Sequence, residues 1–196
     1  FRSDVQHRIA RAKIDSPFNQ PVRLVAVSKT KPLEFLQSAY AAGQRVFGEN
    51  YVHEIVEKSP QMPSDVEWHF IGHVQSNKAK TLVKGVPNLT MIETIDSKKL
   101  ADKFNNALKA LAEGENSESE DEKEKHDAST STQEPQTARN VKVLIQVDTS
   151  GEETKSGVST EEALELAKHI QEKCPFLTFA GVMTIGAPGD MRSEEH

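Results

Sequence analysis

The sequence predicts an α/β protein built on a parallel sheet. Six apolar runs of strand length alternate with segments of helical period along the chain. Parallel strands need long crossover connections, and helices supply them. Six such units fit either an open doubly wound sheet or an incomplete (β/α) barrel, and the pattern alone favours neither fold over the other. No glycine-rich turn follows the first strand, which weighs against a dinucleotide-binding sheet.

The strand predictions rest on short runs rich in β-branched, aromatic and aliphatic residues. The six strands are predicted at residues 23–28, 45–48, 67–71, 89–93, 141–147 and 177–183. The first of them, RLVAVS, is expected to be buried, because it is almost continuously apolar.

Helix-start signals mark the segments between the strands. Pro32 suits the first position of a helix that Gly43 ends, and Asn50 is a good N-cap for the next helix. Asp96 is the expected N-cap of a helix with one apolar stripe, and Ser159 begins a capping box before the last helix. The stripe consists of Leu100, Phe104, Leu108 and Leu111.

An acidic segment at residues 113–139 interrupts this pattern. It contains nine acidic and three basic residues and accounts for the whole net charge of −6. Because it has almost no apolar residue, it cannot bury enough surface to offset its ordering entropy, and we expect disorder. A tolerated surface-loop insertion within one barrel domain spanning residues 1–196 is favoured over a docking or phosphorylation segment.

Composition narrows the class of protein. Outside the acidic segment the charges balance, so no basic field for nucleic acid is expected. No run of eighteen apolar residues predicts a membrane span, and the charged N-terminus lacks a signal-peptide core. The single cysteine, Cys174, precedes Pro175 and is expected to be a structural thiol in a reducing compartment. We therefore expect a cytoplasmic protein, with a mitochondrial pool as an alternative.

Lys29 stands out among the polar residues that follow the strands, where parallel α/β folds collect reactive groups. Val25, Val27 and Lys29 share one face of the strand, so Lys29 can extend that face into a barrel mouth. A partly desolvated lysine has a lowered pKa, and its amine can attack an aldehyde. Lys31 adjoins Pro32 and is expected to head the helix. Spacing alone favours a solvated Lys29 over a Schiff-base lysine.

His69 and His73 are four residues apart, a spacing that invites a metal site. They bracket a strand end and no third His or Cys lies near, so zinc is not favoured. His69 is expected to line the barrel and hydrogen-bond a ligand, with a satisfied core histidine as an equal alternative. Trp68 and Phe70 are expected to pack on the opposite face. Met183 is compatible with ordinary core filling.

Several sequence blocks resemble, in order, those of the pyridoxal phosphate (PLP) homeostasis protein family. They are AVSKTKP at 26–32, FGENYV at 47–52, WHFIG at 68–72, QSNK at 75–78, TKSGV at 154–158 and GVMTI at 181–185. The resemblance covers essentially the whole chain outside the acidic insertion. Any one block would be weak, whereas several in the correct order are specific.

This resemblance implies a (β/α)8 TIM barrel of the alanine racemase N-terminal type, with PLP held as a Schiff base on Lys29. Asn50, His69 and Met183 match positions that line the cofactor pocket of the family. Three further lysines match family blocks and would assist PLP transfer or respond to bound ligand, namely Lys31, Lys78 and Lys155. No catalytic residue and no metal ligand is implied.

The resemblance also implies a barrel truncated after about six β/α units. A (β/α)8 barrel typically takes about 250 residues, and this chain has 196 including the insertion. Family members continue with a Ser-Met-Gly-Met-Ser-like block and a Gly-Ser-Thr block followed by an arginine. These segments would supply most of the phosphate contacts and the partner of the pyridine nitrogen, so we expect both beyond His196.

Three functions fit these observations. The first, favoured here, is a PLP carrier or regulator in vitamin B6 homeostasis without substantial turnover. It would be a monomer or weak dimer serving apo PLP-dependent enzymes, with no nucleic-acid or membrane partner. The second is a PLP-dependent racemase or decarboxylase, but such enzymes generally add a β-rich domain, which is not expected here, and Tyr40 and Tyr51 fall in helical stretches. The third is an unrelated hydrolase or aldolase using Lys29 without PLP.

Overall fold

Six parallel strands form one sheet in the computed structural model, which describes residues 2–18, 20–114, 139–149 and 157–185. They are β1 (Ala26–Val27), β2 (Val46–Glu49), β3 (Glu67–Phe70), β4 (Leu89–Ile95), β5 (Val141–Gln146) and β6 (Leu177–Met183). Each strand pairs in parallel with the next one along the chain. This sequential order is that of a barrel wall, whereas a doubly wound sheet reverses its order at a switch point. The barrel prediction is confirmed.

Helices separate the strands and cover the outer face of the sheet. They are α1 (Arg2–Asp15), α2 (Leu33–Ala41), α3 (Val52–Lys58), α4 (Ala79–Gly85), α5 (Lys98–Ala112) and α6 (Thr160–Lys173). The sequence did not lead us to expect α1. Its described side chains are mostly exposed, so no apolar stripe announces it. No helix in the described ranges is both long and apolar enough to cross a membrane.

The core lies between the outer face of the sheet and these helices. Trp68 and Phe70 are fully buried there, as predicted, and the ring centroid of Trp68 lies 5.9 Å from that of Phe47. The apolar stripe predicted on α5 is also confirmed. Its first three residues, Leu100, Phe104 and Leu108, are buried, and Leu111 packs against the core. Burying each such side chain contributes about 1.5–3 kcal/mol.

Three helix starts differ from their predictions. Asn50 does not cap α3, because the helix begins at Val52 and its N-cap is Tyr51. Asp96 does not cap α5 either, since the N-cap is Ser97, whose Oγ accepts a hydrogen bond from the Leu100 N–H. In both cases two residues separate the strand from the helix, and the second of them, in an extended conformation, is the N-cap. Pro32 likewise precedes α2 as its N-cap.

The first strand is shorter and more exposed than predicted. β1 contains two residues that pair with β2, and Val27 is 52% exposed. β1 is an end strand of the sheet among the described residues, so its other side has no strand to cover it. The predicted disorder at 113–139 falls almost entirely outside the described residues, which resume at Arg139.

Candidate binding site at the carboxyl ends of the strands

A cavity of about 540 Å³ opens at the carboxyl ends of the strands. Its walls come from each of the six strands or from the residues directly after them. Lys29, Glu93 and Asp148 bring charged side chains to it, while Val25 and Ile71 supply apolar wall. The volume lies within the range of small-molecule sites.

Lys29 follows β1 and lines this cavity together with Val25 and Val27, the two residues that share its strand face. Lys31 lies on the other side of the chain. It lines a second, largely apolar cavity of about 390 Å³ between β1, α1 and α2. Strand alternation would put these two exposed lysines on one face, but the turn at residues 28–31, in which the Lys31 N–H donates to the Ser28 oxygen, directs them into separate cavities.

Asn50 and Met183 also line the cavity. The Asn50 backbone lies very close to Gly72, since a Cβ added at Gly72 would be 2.1 Å from the Asn50 backbone oxygen. Glycine at position 72 thus allows the loops after β2 and β3 to meet. His73 joins the rim, half exposed, with Nδ1 3.4 Å from Asp96 Oδ2.

His69 lies on the face of β3 opposite Trp68 and Phe70, is 2% exposed, and is not among the residues that line the described cavity. Its Nδ1 is 2.6 Å from Glu93 Oε1, and Glu93 in turn lines the cavity. Its Nε2 is buried without a hydrogen-bond partner among the described atoms. The two histidines of the sequence analysis thus make separate contacts at different depths.

Two other lysines singled out in the sequence have different settings. Lys78 is exposed in the 3₁₀ turn Ser76–Lys78 before α4 and does not contribute to the cavity wall that the structure describes. Lys155 lies outside the described residues.

Sequence reasoning missed three polar wall residues, Glu93, Thr94 and Gln146. Each of them is a polar residue near the end of an otherwise apolar strand, and this pattern could have indicated a position in the cavity wall. Thr94 was placed beyond its strand, but β4 extends to Ile95. Gln146 is buried at the end of β5, where its side chain can face the cavity.

A different polar cluster lies among the helices. His169 Nε2 is 2.6 Å from Asp102 Oδ1, and Cys174 Sγ is 3.7 Å from the same oxygen. These side chains offer metal-ligand atoms within 4.8 Å of one another. The contacts are those of a hydrogen-bonded junction that ties α5 to the end of α6. Burial, with the charge and hydrogen bond of Asp102, raises the pKa of the Cys174 thiol to about 11.

The chain matches the family described as "Alanine racemase, N-terminal domain" over residues 3–196. A pyridoxal phosphate homeostasis protein of Bos taurus is 44% identical over 190 residues, which cover 94% of this chain and 60% of that protein. The Schizosaccharomyces pombe protein of the same name is 42% identical, with 96% of this chain and 68% of that protein covered. The chain thus spans about 60% of the length of its bovine relative.

Among solved structures, PipY of Synechococcus elongatus with PLP bound superposes with a TM-score of 0.66 at 27% identity. The match covers 96% of this chain and 73% of PipY. The sequence matches and the structural match therefore indicate the same family along nearly the whole chain. The sequential six-stranded parallel sheet and these matches show that the chain belongs to the alanine racemase N-terminal domain family and, within it, to the family of pyridoxal phosphate homeostasis proteins.

Proposed function

We propose that this chain is the PLP-binding part of a PLP homeostasis protein and holds PLP covalently on Lys29. The position of Lys29 supports the proposal most strongly, because Lys29 is the second residue after β1 and lines the cavity at the carboxyl ends of the strands. Barrel folds collect their reactive groups there. PLP supplies an aldehyde and an electron-withdrawing ring, and a lysine amine is the side chain that condenses with such an aldehyde. PipY, solved with PLP bound, supports PLP as the ligand.

The described wall fits the ring and aldehyde of PLP more fully than its phosphate. Val25, Ile71 and Met183 offer apolar surface, and the Asn50 amide can donate and accept hydrogen bonds. No arginine belongs to the part of the wall that the structure describes. We propose that most phosphate contacts come from segments of the full-length protein outside this sequence, within a single barrel domain that carries residues 113–139 as an insertion.

We further propose a carrier or regulator rather than an enzyme with substantial turnover. The Tyr40 hydroxyl donates a hydrogen bond of 2.7 Å to Asp65, and Tyr51 lies before α3, 46% exposed. Neither tyrosine lines the described cavity, so neither is placed there to act as a catalytic acid or base. Apo PLP-dependent enzymes are the proposed recipients. Cytoplasmic location and a monomeric or weakly dimeric state remain predictions.

Absorbance spectra of two matched variants test the covalent attachment. With added PLP, we expect the chain to develop visible absorbance that Lys29→Ala abolishes. Lys31→Ala is the control, because Lys31 is also exposed after the same strand but lines the other cavity. Retained absorbance in Lys29→Ala, or equal loss in both variants, would contradict the proposal.

Amino-acid racemisation assays on the same samples separate the carrier from the enzyme. We expect no substantial turnover by the PLP-loaded protein. Turnover that Lys29→Ala abolishes would instead identify a PLP-dependent enzyme.

A further inference from the structure

The turn that carries Lys29 is tied to three charged residues on the opposite face of the sheet. Glu49, Glu54 and Lys58 form this group, called here the charged clamp. Glu49 ends β2 with no exposed surface, and Lys58 is 9% exposed near the end of α3. Glu54 lies one helical turn before Lys58 and is partly buried. The clamp thus lies behind Lys29, away from the cavity wall.

Lys58 is the centre of the clamp. Its Nζ lies 3.0 Å from the Ser28 backbone oxygen, 2.8 Å from Glu49 Oε1 and 2.5 Å from Glu54 Oε2. An ammonium group has three donors, and each has one acceptor here. Burial alone lowers the pKa of Lys58, but the hydrogen bonds and charges of the two glutamates outweigh it and raise that pKa. Lys58 therefore stays charged and keeps all three contacts.

The clamp holds the chain on both sides of Lys29. Before it, Ser28 accepts from Lys58 at its backbone oxygen, and its Oγ donates to Glu49 Oε1 at 2.7 Å. After it, the Thr30 N–H donates to Glu54 Oε2 at 2.9 Å. The backbone on either side of Lys29 is thereby fixed, while its side chain lines the cavity.

The turn held in this way has a strained conformation. The Lys31 N–H donates to the Ser28 oxygen at 3.1 Å, and Thr30 has a φ of +59°. A positive φ at the third residue is a feature of type II turns, where glycine is preferred. For a residue with a side chain this conformation costs about 1–2 kcal/mol. Such strain persists where the surroundings determine the backbone, and it is common at functional sites.

The charges of the clamp argue for a role in geometry more than in stability. Two carboxylates and one ammonium are buried together, and Glu49 Oε2 has no hydrogen-bond partner among the described atoms. Replacing buried ion pairs by apolar residues is often neutral or stabilising, so the arrangement is a poor device for stability alone. It does, however, specify one position for the turn.

We propose that Glu49, Glu54 and Lys58 are positioning residues that hold the Lys29 amine in the cavity for reaction with an aldehyde. This inference rests on the proposed function, since it assigns these residues to the same site. A displacement of about 1 Å at a reacting group can cost roughly a hundredfold in rate. Loss of the clamp is therefore expected to slow attachment at Lys29 without removing any cavity wall.

Glu54→Ala tests the clamp with the least disturbance, because Glu54 is partly exposed and alanine suits a helix. Borohydride trapping and peptide mass spectrometry measure the rate of PLP attachment at each lysine. NMR measures the hydrogen exchange of the Thr30 amide. We expect Lys29 labelling to slow about tenfold or more relative to other lysines, and Thr30 to lose its protection. Glu54→Gln, which keeps an acceptor oxygen, should restore much of both. Glu57→Ala, exposed on the same helix, should match the unsubstituted chain.

Two outcomes overturn the inference separately from the proposed function. Thr30 protection lost with Lys29 labelling unchanged shows that the clamp does not position the amine. Thr30 protection that survives Glu54→Ala, with Lys29 labelled at an unchanged rate, shows that Glu54 does not hold the turn. No label at Lys29 in the unsubstituted chain contradicts the proposed function itself. If Glu54→Ala unfolds, Lys58→Arg takes its place, because a guanidinium cannot reproduce the three ammonium contacts.

Discussion

Cys174 shows how local surroundings set the chemistry of one side chain. It lies directly after α6, is 1% exposed, and has Sγ 3.7 Å from Asp102 Oδ1. Burial raises its pKa to about 11, with further contributions from the charge and hydrogen bond of Asp102. The thiolate is the reactive form of cysteine, so little of the reactive form is present near neutral pH. The structure agrees with the structural thiol that the sequence predicts.

We expect the native Cys174 thiol to react with a disulfide reagent at pH 8 far more slowly than in denaturant. The unfolded thiol also ionises at lower pH than the folded one, so raising the pH from about 9 towards 11 should lower the free energy of unfolding. Stopped-flow absorbance and urea titrations measure the two effects. Equal reaction rates in native and denatured protein would contradict this burial.

Gly72 makes a steric contribution that no other residue type can replace. A Cβ at this position would lie 2.1 Å from the Asn50 backbone oxygen. We expect Gly72→Ala to destabilise the protein by about 1–3 kcal/mol and to weaken PLP binding, because the backbone at Asn50 must move to make room for the added Cβ. Gly114→Ala is the comparison, since its φ of +70° is strained for alanine but no atom lies within 4 Å of the added Cβ. Urea unfolding showing equal or smaller loss for Gly72→Ala would refute the close approach.

Single residues at the site were predictable where strand alternation decides the direction. Val25, Val27 and Lys29 line one cavity, as their shared face implies. The contact of Ser28 with Lys58 could not be predicted, because it joins residues thirty positions apart through the packing of α3 on the sheet. Contacts of this kind depend on tertiary structure and leave no local pattern.

At the scale of elements, α6 follows its local sequence closely. The predicted capping box is present, with the Glu162 N–H donating to Ser159 Oγ and the Ser159 N–H donating to Glu162 Oε2. Hydrogen bonds from the backbone N–H and the side chain of Ser159 to the Glu162 carboxylate lower the pKa of Glu162. The carboxylate contribution to helix stability is therefore present above its ordinary pKa and is lost as the pH falls through the lowered value.

We expect Ser159→Ala to lower the free energy of unfolding by about 1 kcal/mol, because an N-terminal N–H loses its acceptor. Thr160→Ala is the matched control, one residue further on and also exposed, where the side chain does not cap the helix. Urea unfolding at neutral pH measures both. A loss in Thr160→Ala as large as in Ser159→Ala would show that the cap is not the cause.

Other element boundaries were less predictable. β6 has the predicted bounds, whereas β1 is reduced to Ala26–Val27 because it pairs on one side within the described sheet. Asn50 and Asp96 have good capping side chains but precede the actual N-caps. A capping residue in the sequence indicates that a helix starts nearby, and the neighbouring loops decide at which residue.

At the scale of the whole molecule, the order of the strands determines where the site lies. Alternating strands and helices predict a parallel sheet but not its order, so an open sheet and a barrel were equally compatible. The sequence blocks favoured the barrel, and the order β1 to β6 confirms it. All six carboxyl ends then surround one cavity, and Lys29 is part of its wall. Lys155 and residues 115–138 fall outside the described structure.

The central claim is that Lys29 is the lysine to which PLP attaches. The most direct measurement is peptide mass spectrometry of the chain after incubation with PLP and reduction with borohydride. We expect one phosphopyridoxyl group, located on Lys29, with Lys31 unlabelled although it is also exposed. A label spread over many surface lysines, or a label on Lys31 in place of Lys29, would contradict the assignment.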